Sequence, residues 1–242
     1  MGDAVAMPST LKFIILALLA ALPWQPAAAA DACAEGKLQP VKIAGDTLHL
    51  AWVGTISQAM PAAIDRAFEA NRRRVKSVEL SLRSCGGRTD YMAAAIGVLH
   101  HIKRTHTLDT VVEPGATCAS ACIPIFLASD RRRAAMSSLW FFHRSWRHQL
   151  SGGVDEVETS APGRRSVQSF LDRFYAPAGV SHKWLTQLRT VIENNDGYWQ
   201  TGRDLWSAES GIITEAIGDI QSQDNRPIYL APAPGCTSMC RG

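Results

Sequence analysis

The sequence predicts an α/β domain with a mainly parallel sheet. Three observations carry this. Short apolar runs alternate with longer segments of helical periodicity, the runs tend to end at glycine or proline, and helices occupy the connections between successive strands. A strand–helix–strand–helix–strand order implies crossover connections and helices packed on the sheet.

The elements follow in chain order. Leu48-His49-Leu50-Ala51-Trp52-Val53 reads as a buried strand ending at Gly54. From Ala59 to Arg73, Ile64, Ala67 and Phe68 recur at helical spacing after Pro61 in the first turn. Val78-Glu79-Leu80-Ser81-Leu82 is a second strand and runs into Ser84-Cys85-Gly86-Gly87. A helix from Asp90 to Arg104 places Met92, Ile96, Leu99 and Ile102 on one face. Thr110-Val111-Val112 is a third strand, ended by Pro114-Gly115. A helix from Ser120 to Ala128 and the strand Leu139-Trp140-Phe141-Phe142 come next. Gly152-Gly153 and Pro162-Gly163 bound a polar loop, and helices resume over Arg165–Tyr175 and Lys183–Ile192.

The ends of the chain read differently. Lys12 precedes the apolar run from Phe13 to Leu22, which is shorter than the ~20 residues a membrane-spanning helix needs. Small residues follow at Ala27–Ala30. This is the pattern of a secretory signal peptide over 1–30, and it predicts a periplasmic or secreted protein with no membrane span after cleavage. Asp31 suits a lipobox at Cys33 poorly. Residues 31–224 are then one domain, and 225–242 a proline- and cysteine-containing extended tail. The formal charge of +3 is small. Arg72-Arg73-Arg74 and Arg131-Arg132-Arg133 lack the interleaved aromatics of a nucleic-acid groove and read as solvated faces. Six cysteines in an exported chain predict disulfides among Cys33, Cys85, Cys118, Cys122, Cys236 and Cys240, with the pairing open. No metal or cofactor is called for. His100, His101 and His106 read as the surface and C-terminal end of a helix.

Three segments carry chemistry. Ser84-Cys85-Gly86-Gly87 is a strand end whose glycines expose backbone N–H groups in a tight turn. Gly115-Ala116-Thr117-Cys118-Ala119-Ser120-Ala121-Cys122 surrounds one serine with small residues where a strand gives way to a helix. There the hydroxyl has backbone donors and a helix dipole at hand, although an ordinary N-cap sits in the same place. His143 ends the apolar strand, where an imidazole can serve a serine as base or be merely structural. Cys118 and Cys122 as thiol nucleophiles fit an oxidising compartment badly. Lys183 lies in no serine–lysine motif.

Taken together and in this order, these segments resemble the Clp protease proteolytic subunit and its crotonase superfamily. More narrowly, they resemble secreted bacterial members with a Cys-Ala-Ser-Ala-Cys segment. The similarity runs from Leu48 to Gly218 and rests on Gly54-x-Ile56, Ser84-x-Gly86-Gly87, Ala119-Ser120-Ala121, His143 twenty-three positions later, and Ser207–Thr214 with Gly211-Ile212-Ile213. The resemblance implies a spiral of β-β-α units, Ser120 as nucleophile, His143 as general base, and Gly86 and Ala121 as oxyanion donors with Gly87 alongside. It places the orienting acid before Tyr198-Trp199, with Asp196 favoured over Glu193, Asn194 and Asn195. It implies a peptide or protein substrate. An inactive binding or scaffold protein of the same fold is the rival, and an acyl-CoA enzyme fits export poorly. Two departures stand out. Cys85 replaces the proline of the family's Ser-Pro-Gly-Gly, so a bridge from Cys85 to Cys118 or Cys122 would brace the oxyanion turn, Cys118–Cys122 being the tighter alternative. Arg131–Arg133 and Trp140 stand where the intracellular protease has subunit contacts and its peptide groove, which leaves open what homo-oligomer forms.

Overall fold

In the computed structural model, residues 31–144, 161–195 and 197–218 are described, with side chains of the helix beginning at 161 described from Val167. Residues 1–30, expected to be a signal peptide, most of the polar loop, Asp196 and the 225–242 segment with Cys236 and Cys240 lie outside the described residues.

Two sheets organise the domain. The larger contains β1 (Lys37–Leu38), β2 (Lys42–Ala44), β3 (Thr47–Val53), β4 (Ser77–Arg83), β5 (Thr107–Val112), β7 (Arg131–Ala135) and β10 (Glu215–Ile217). Its order is β1-β3-β4-β5-β7-β10, with β2 also on β3. From β3 to β10 every pairing is parallel, whereas β1 and β2 run antiparallel to β3. The smaller sheet is β6 (Thr117–Ala119), β8 (Leu139–Phe142) and β9 (Tyr198–Thr201), with β6 and β8 parallel. The predicted mixed α/β fold with a mainly parallel sheet is the observed one.

The parallel pairings need crossovers, and helices supply them. α1 (Ala59–Asn71) joins β3 to β4, and α2 (Thr89–Lys103) joins β4 to β5. β3 and β4 alternate strictly, burying Leu48, Leu50 and Trp52, and Val78, Leu80 and Leu82. That apolar face shares one core with Met60, Ile64 and Phe68 of α1 and Met92, Leu99 and Ile102 of α2. α2 also suits its own dipole, with Asp90 in its first turn and His100, His101 and Lys103 in its last. The opposite face of the sheet is polar. Across it Thr47 meets Ser77 at 2.6 Å, His49 meets Glu79 at 2.9 Å, and Arg131 Nε donates to Asp109 at 3.0 Å.

The arginine run therefore departs from the solvated face expected of it. It forms β7, and the period-2 alternation of a strand sends its members to opposite faces. Arg131 and Arg133 lie on the polar face, paired with Asp109 and Glu79. Arg132 points inward, only 6% exposed. Its guanidinium donates to the carbonyls of Ser129, Ala178, Gly211 and Ile212 at 2.8–3.0 Å. Burial pushes its pKa down from the ordinary arginine value.

Trp140 is an inward-facing residue of β8. It is fully buried, with its ring 4.9 Å from that of Phe126 and its indole N–H donated to Ser138 Oγ at 2.8 Å. It belongs to the core and not to a substrate groove. Among the described residues, further α-helices are α3 (Cys122–Phe126), α4 (Ala161–Phe174), α5 (His182–Asn194) and α6 (Gly202–Ser207). Thr201 and Asp204 form a reciprocal capping box at the start of α6. Among the described residues no helix is long and apolar enough to cross a membrane.

Candidate active site

The site forms where the end of the large sheet meets the start of the small one. Ser84, fully buried just beyond β4, donates its N–H to Thr117 O at 2.7 Å, and its carbonyl accepts from Ala119 N at 2.9 Å. This bridge fixes the glycine turn against β6. Gly86 (φ +102°) then passes so close to the next segment that a Cβ there would lie 2.6 Å from Ser120 Cβ and 2.9 Å from Ala119 O. A Cβ on Gly87 would meet Ile56 O at 2.2 Å. Both glycines are required by backbone approach, which is why this turn follows β4.

Ser120 ends β6 in a left-handed conformation, φ +53°. That region costs an L-residue roughly 1–2 kcal/mol, and Glu209 is the other non-glycine residue with positive φ among those described. The expected helix from Ser120 to Ala128 is shorter, Cys122–Phe126, with Ala121 as N-cap and no side-chain cap bond. Capping is thus not what Ser120 does. Its N–H is held by Phe141 O at 2.9 Å, and its carbonyl starts the next turn by accepting from Ile123 N at 3.0 Å. The half-buried hydroxyl-bearing residue sits on a sharp bend between strand and helix.

A disulfide brackets that bend. Cys118 and Cys122 are bonded, with Cα atoms 5.3 Å apart, inside the usual range for a bridge. A Cys85 bridge to either is therefore excluded. The left-handed residue midway between them folds the segment back enough for the short spacing to close. By the loop-closure relation, a crosslink around about five residues contributes roughly 2 kcal/mol. That is enough to offset the left-handed conformation it encloses.

β8 lies beside β6 in parallel, pairing Ala119 with Phe141. Ser120 and His143 thus follow the C-terminal ends of adjacent strands. The half-buried His143 ring stacks on Phe141, with centroids 5.3 Å apart and planes at 24°. Its Nδ1 is hydrogen-bonded to the Arg144 carbonyl. A carbonyl only accepts, so Nδ1 carries the proton and Nε2 holds the lone pair of the neutral ring. Burial pushes the imidazole pKa below its ordinary value, against the opposing hydrogen bond to the Arg144 carbonyl.

The amides divide unexpectedly. Gly86 N–H donates to Ser84 Oγ at 3.1 Å, so it is engaged inside the protein. Among the described residues no acceptor is found for the N–H of Gly87 or of Ala121. Of these two residues, Gly87 is exposed and Ala121 is buried. The hold of the Ser84 hydroxyl on Gly86 N–H has no signature in the residue types alone.

Of the candidates for the orienting acid, three turn back to their own helix. Glu193 faces Arg189 at 4.0 Å, Asn194 Nδ2 donates to Thr190 O at 2.7 Å, and Asn195 Nδ2 donates to Val191 O at 2.8 Å. Among the described residues no group of three His, Cys, Asp or Glu side chains is placed to hold a metal. A polar depression over β3, β4, β5 and β7 is lined by His49, Glu79, Asp109, Arg131 and Arg133, and by nothing from the glycine turn, β6 or β8.

No family model matches the chain, and no curated protein matches it. Solved structures do. ClpP1 from Listeria monocytogenes aligns with a TM-score of 0.51 at 21% identity, over 72% of this chain and 92% of that one. A point mutant of that protein aligns at 0.53 and 19%, over 73% and 93%. The 1510-N membrane-bound stomatin-specific protease, as a mutant in complex with a substrate peptide, aligns at 0.53 and 18%, over 71% and 74%. The chain has the ClpP-like, crotonase-type fold.

Proposed function

We propose that this chain is an exported serine hydrolase that cleaves peptide bonds, with Ser120 as nucleophile and His143 as general base. The observation that carries the reading is the bend at Ser120. A serine is held in a left-handed conformation at a strand end, pressed by a glycine turn and clamped by a disulfide, where hydrogen bonding alone asks for nothing of the kind. Strain of this sort persists only where the surroundings over-determine it, and it concentrates at functional sites.

In this mechanism Nε2 of His143 takes the Ser120 hydroxyl proton as Oγ attacks the acyl carbon. The oxyanion that develops accepts from Gly87 and Ala121 N–H. His143 returns its proton to the leaving amine, and water resolves the acyl-enzyme by the reverse sequence. In this structure the Nδ1 proton of His143 goes to the Arg144 carbonyl, and Asp196 is the acid proposed to take that carbonyl's place and complete the triad. The peptide substrate and a homo-oligomeric assembly rest on the family resemblance, and the periplasmic or secreted location on the 1–30 leader.

A second reading, a binding or scaffold protein of the same fold without turnover, draws on the engagement of Gly86 N–H by Ser84 Oγ, which removes one expected oxyanion donor. A fluorophosphonate probe separates the two. The hydrolase labels once per chain, and Ser120→Ala abolishes the label. An unlabelled oxidised wild-type protein would establish the scaffold.

A further inference from the structure

Several chain segments share out the backbone groups of the glycine turn. Arg83 O accepts from Gly54 N at 2.9 Å, and Gly86 O accepts from Ile56 N at 2.7 Å. Ser84 binds β6 through both its N–H and its carbonyl, and its hydroxyl takes Gly86 N–H. The Cys85 N–H goes to a different segment altogether: it donates to Ala32 O at 2.9 Å.

That segment, residues 32–36, precedes β1 and is itself tightly seated. Ala32 and Gly36 are buried. Ala34 O accepts from Thr55 N at 2.9 Å. A Cβ on Gly36 would lie 1.9 Å from Thr55 O and 2.5 Å from Trp52 Cζ2, and one on Gly54 would lie 2.7 Å from Gly36 Cα. Two glycines thus meet with no room for a methyl group between them. The φ of Gly36 is outside the left-handed region, so close approach alone accounts for a glycine there.

We propose that residues 32–36 are a strap that positions the oxyanion turn, tied to it through the N–H of residue 85. The inference rests on the reading of Ser120 as nucleophile and Gly87 as an oxyanion donor. Gly87 is two residues beyond the tie, and Gly86 between them is pressed against Ser120. A turn that shifts at residue 85 therefore carries the donor away from the hydroxyl. The tie also accounts for the departure at this position. Proline, which stands here in the resembling family, has no N–H to donate and stiffens a turn through its ring. This chain has an N–H at residue 85 and a carbonyl to receive it. The strap lies before Leu48, outside the stretch that resembles the family. A hydrogen bond to a segment outside the turn stands in for a ring within it.

The test uses the full chain and separates the N–H of residue 85 from its side chain. Cys85→Pro removes the donor, and Cys85→Ala keeps it. Fluorophosphonate labelling of Ser120 slows about tenfold in Cys85→Pro, the rate equivalent of one net hydrogen bond, and stays at the wild-type rate in Cys85→Ala. Gly36→Ala, which lifts the strap off Thr55 without touching the glycine turn, slows labelling comparably. In the double variant, Cys85→Pro with Gly36→Ala, the two losses do not add, since both undo one contact. The second readout is the Gly87 amide proton of the labelled protein, which moves downfield on donating to the phosphonyl oxygen. Cys85→Pro and Gly36→Ala reduce that displacement, and Cys85→Ala retains it. Should Cys85→Pro fail to fold, Gly36→Ala carries both readouts. Labelling of either variant at the wild-type rate, or equal slowing in Cys85→Ala and Cys85→Pro, would overturn the strap while leaving Ser120 as nucleophile. An unlabelled wild-type protein would remove the hydrolase reading and the role with it. A Cys85 amide that exchanges its hydrogen in wild-type protein as fast as an unbonded one would refute the tie itself.

Discussion

Gly86 lies against Ser120 with no room for a methyl group between them: an added Cβ would stand 2.6 Å from Ser120 Cβ and 3.2 Å from Ala121 N. The contact joins the end of β4 to the end of β6 and sets the distance between the glycine-turn amides and the hydroxyl. Gly86→Ala must displace the Ser120 bend and also place an alanine at φ +102°. The expected outcome is a loss of about 2–3 kcal/mol in urea unfolding, with labelling at Ser120 abolished in the fraction that stays folded.

Substitution at Ser120 separates strain from chemistry. Ser120→Ala keeps the unfavourable φ of +53°, whereas Ser120→Gly relieves it. Neither variant labels. Ser120→Gly is expected to be the more stable of the two by about 1 kcal/mol, the left-handed cost less the entropy glycine gains in the unfolded chain. Thermal or urea denaturation of the pair checks it. An equal or lower stability for the glycine variant would mean that the bend stores no strain.

The Cys118–Cys122 bridge contributes about as much as the left-handed residue costs, so it decides the local conformation and not the fold. Both cysteines are fully buried within a core that extends well beyond them. Replacing them together, Cys118→Ala with Cys122→Ala, is expected to leave the far-ultraviolet circular dichroism unchanged. It should also cut the labelling rate at Ser120 by at least about tenfold, one factor of ten per 1.4 kcal/mol of lost bend stability. A rate equal to that of the wild type would show that the bend stands without its clamp.

Burial depresses the His143 pKa, and this fixes the direction of two pH dependences. The imidazole stays neutral, and so able to act as base, to a pH below the ordinary histidine value of about 6.5. The acidic limb of the labelling rate should lie there. In stability the unfolded chain takes up the proton first as pH falls. The contribution is complete above about 6.5 and is lost on descent toward the lower folded pKa. His143→Gln should flatten that part of the stability profile, as urea midpoints across pH would reveal.

Arg132 is the one member of its run that serves the interior. It links β7 to the turn at Ala178 and to the Gly211-Ile212 segment leading into β10. Arg132→Met strips donors from four carbonyls and should cost about 3 kcal/mol or more. Arg131→Met, on an exposed pair with Asp109, should cost less than about 1 kcal/mol. A urea series on the two variants measures the contrast.

These arginines also show what the sequence could convey. The crossover order from β3 to β5 was legible because each strand buries one face and each helix carries a clear apolar stripe. The Gly86-Gly87 turn and its approach to Ser120 were legible through the glycines and small residues that such an approach demands. β7 was hidden because three arginines hold no apolar signal, and only the carbonyls gathered around Arg132 make it an interior residue. β6 and β9 are short, three and four residues, and carry too little pattern to be read. The Cys118–Cys122 pairing turned on the backbone of Ser120, and the engagement of Gly86 by Ser84 on a side-chain rotamer. Both are properties of three-dimensional placement, which residue types do not encode.

The structure of the fluorophosphonate adduct is the most direct measurement. With phosphorus bonded to Ser120 Oγ, the phosphonyl oxygen should lie within hydrogen-bond distance of the Gly87 and Ala121 nitrogens, with Nε2 of His143 beside Oγ. An adduct on another residue, or a Ser120 adduct whose oxygen points away from both amides while His143 faces elsewhere, would contradict the account.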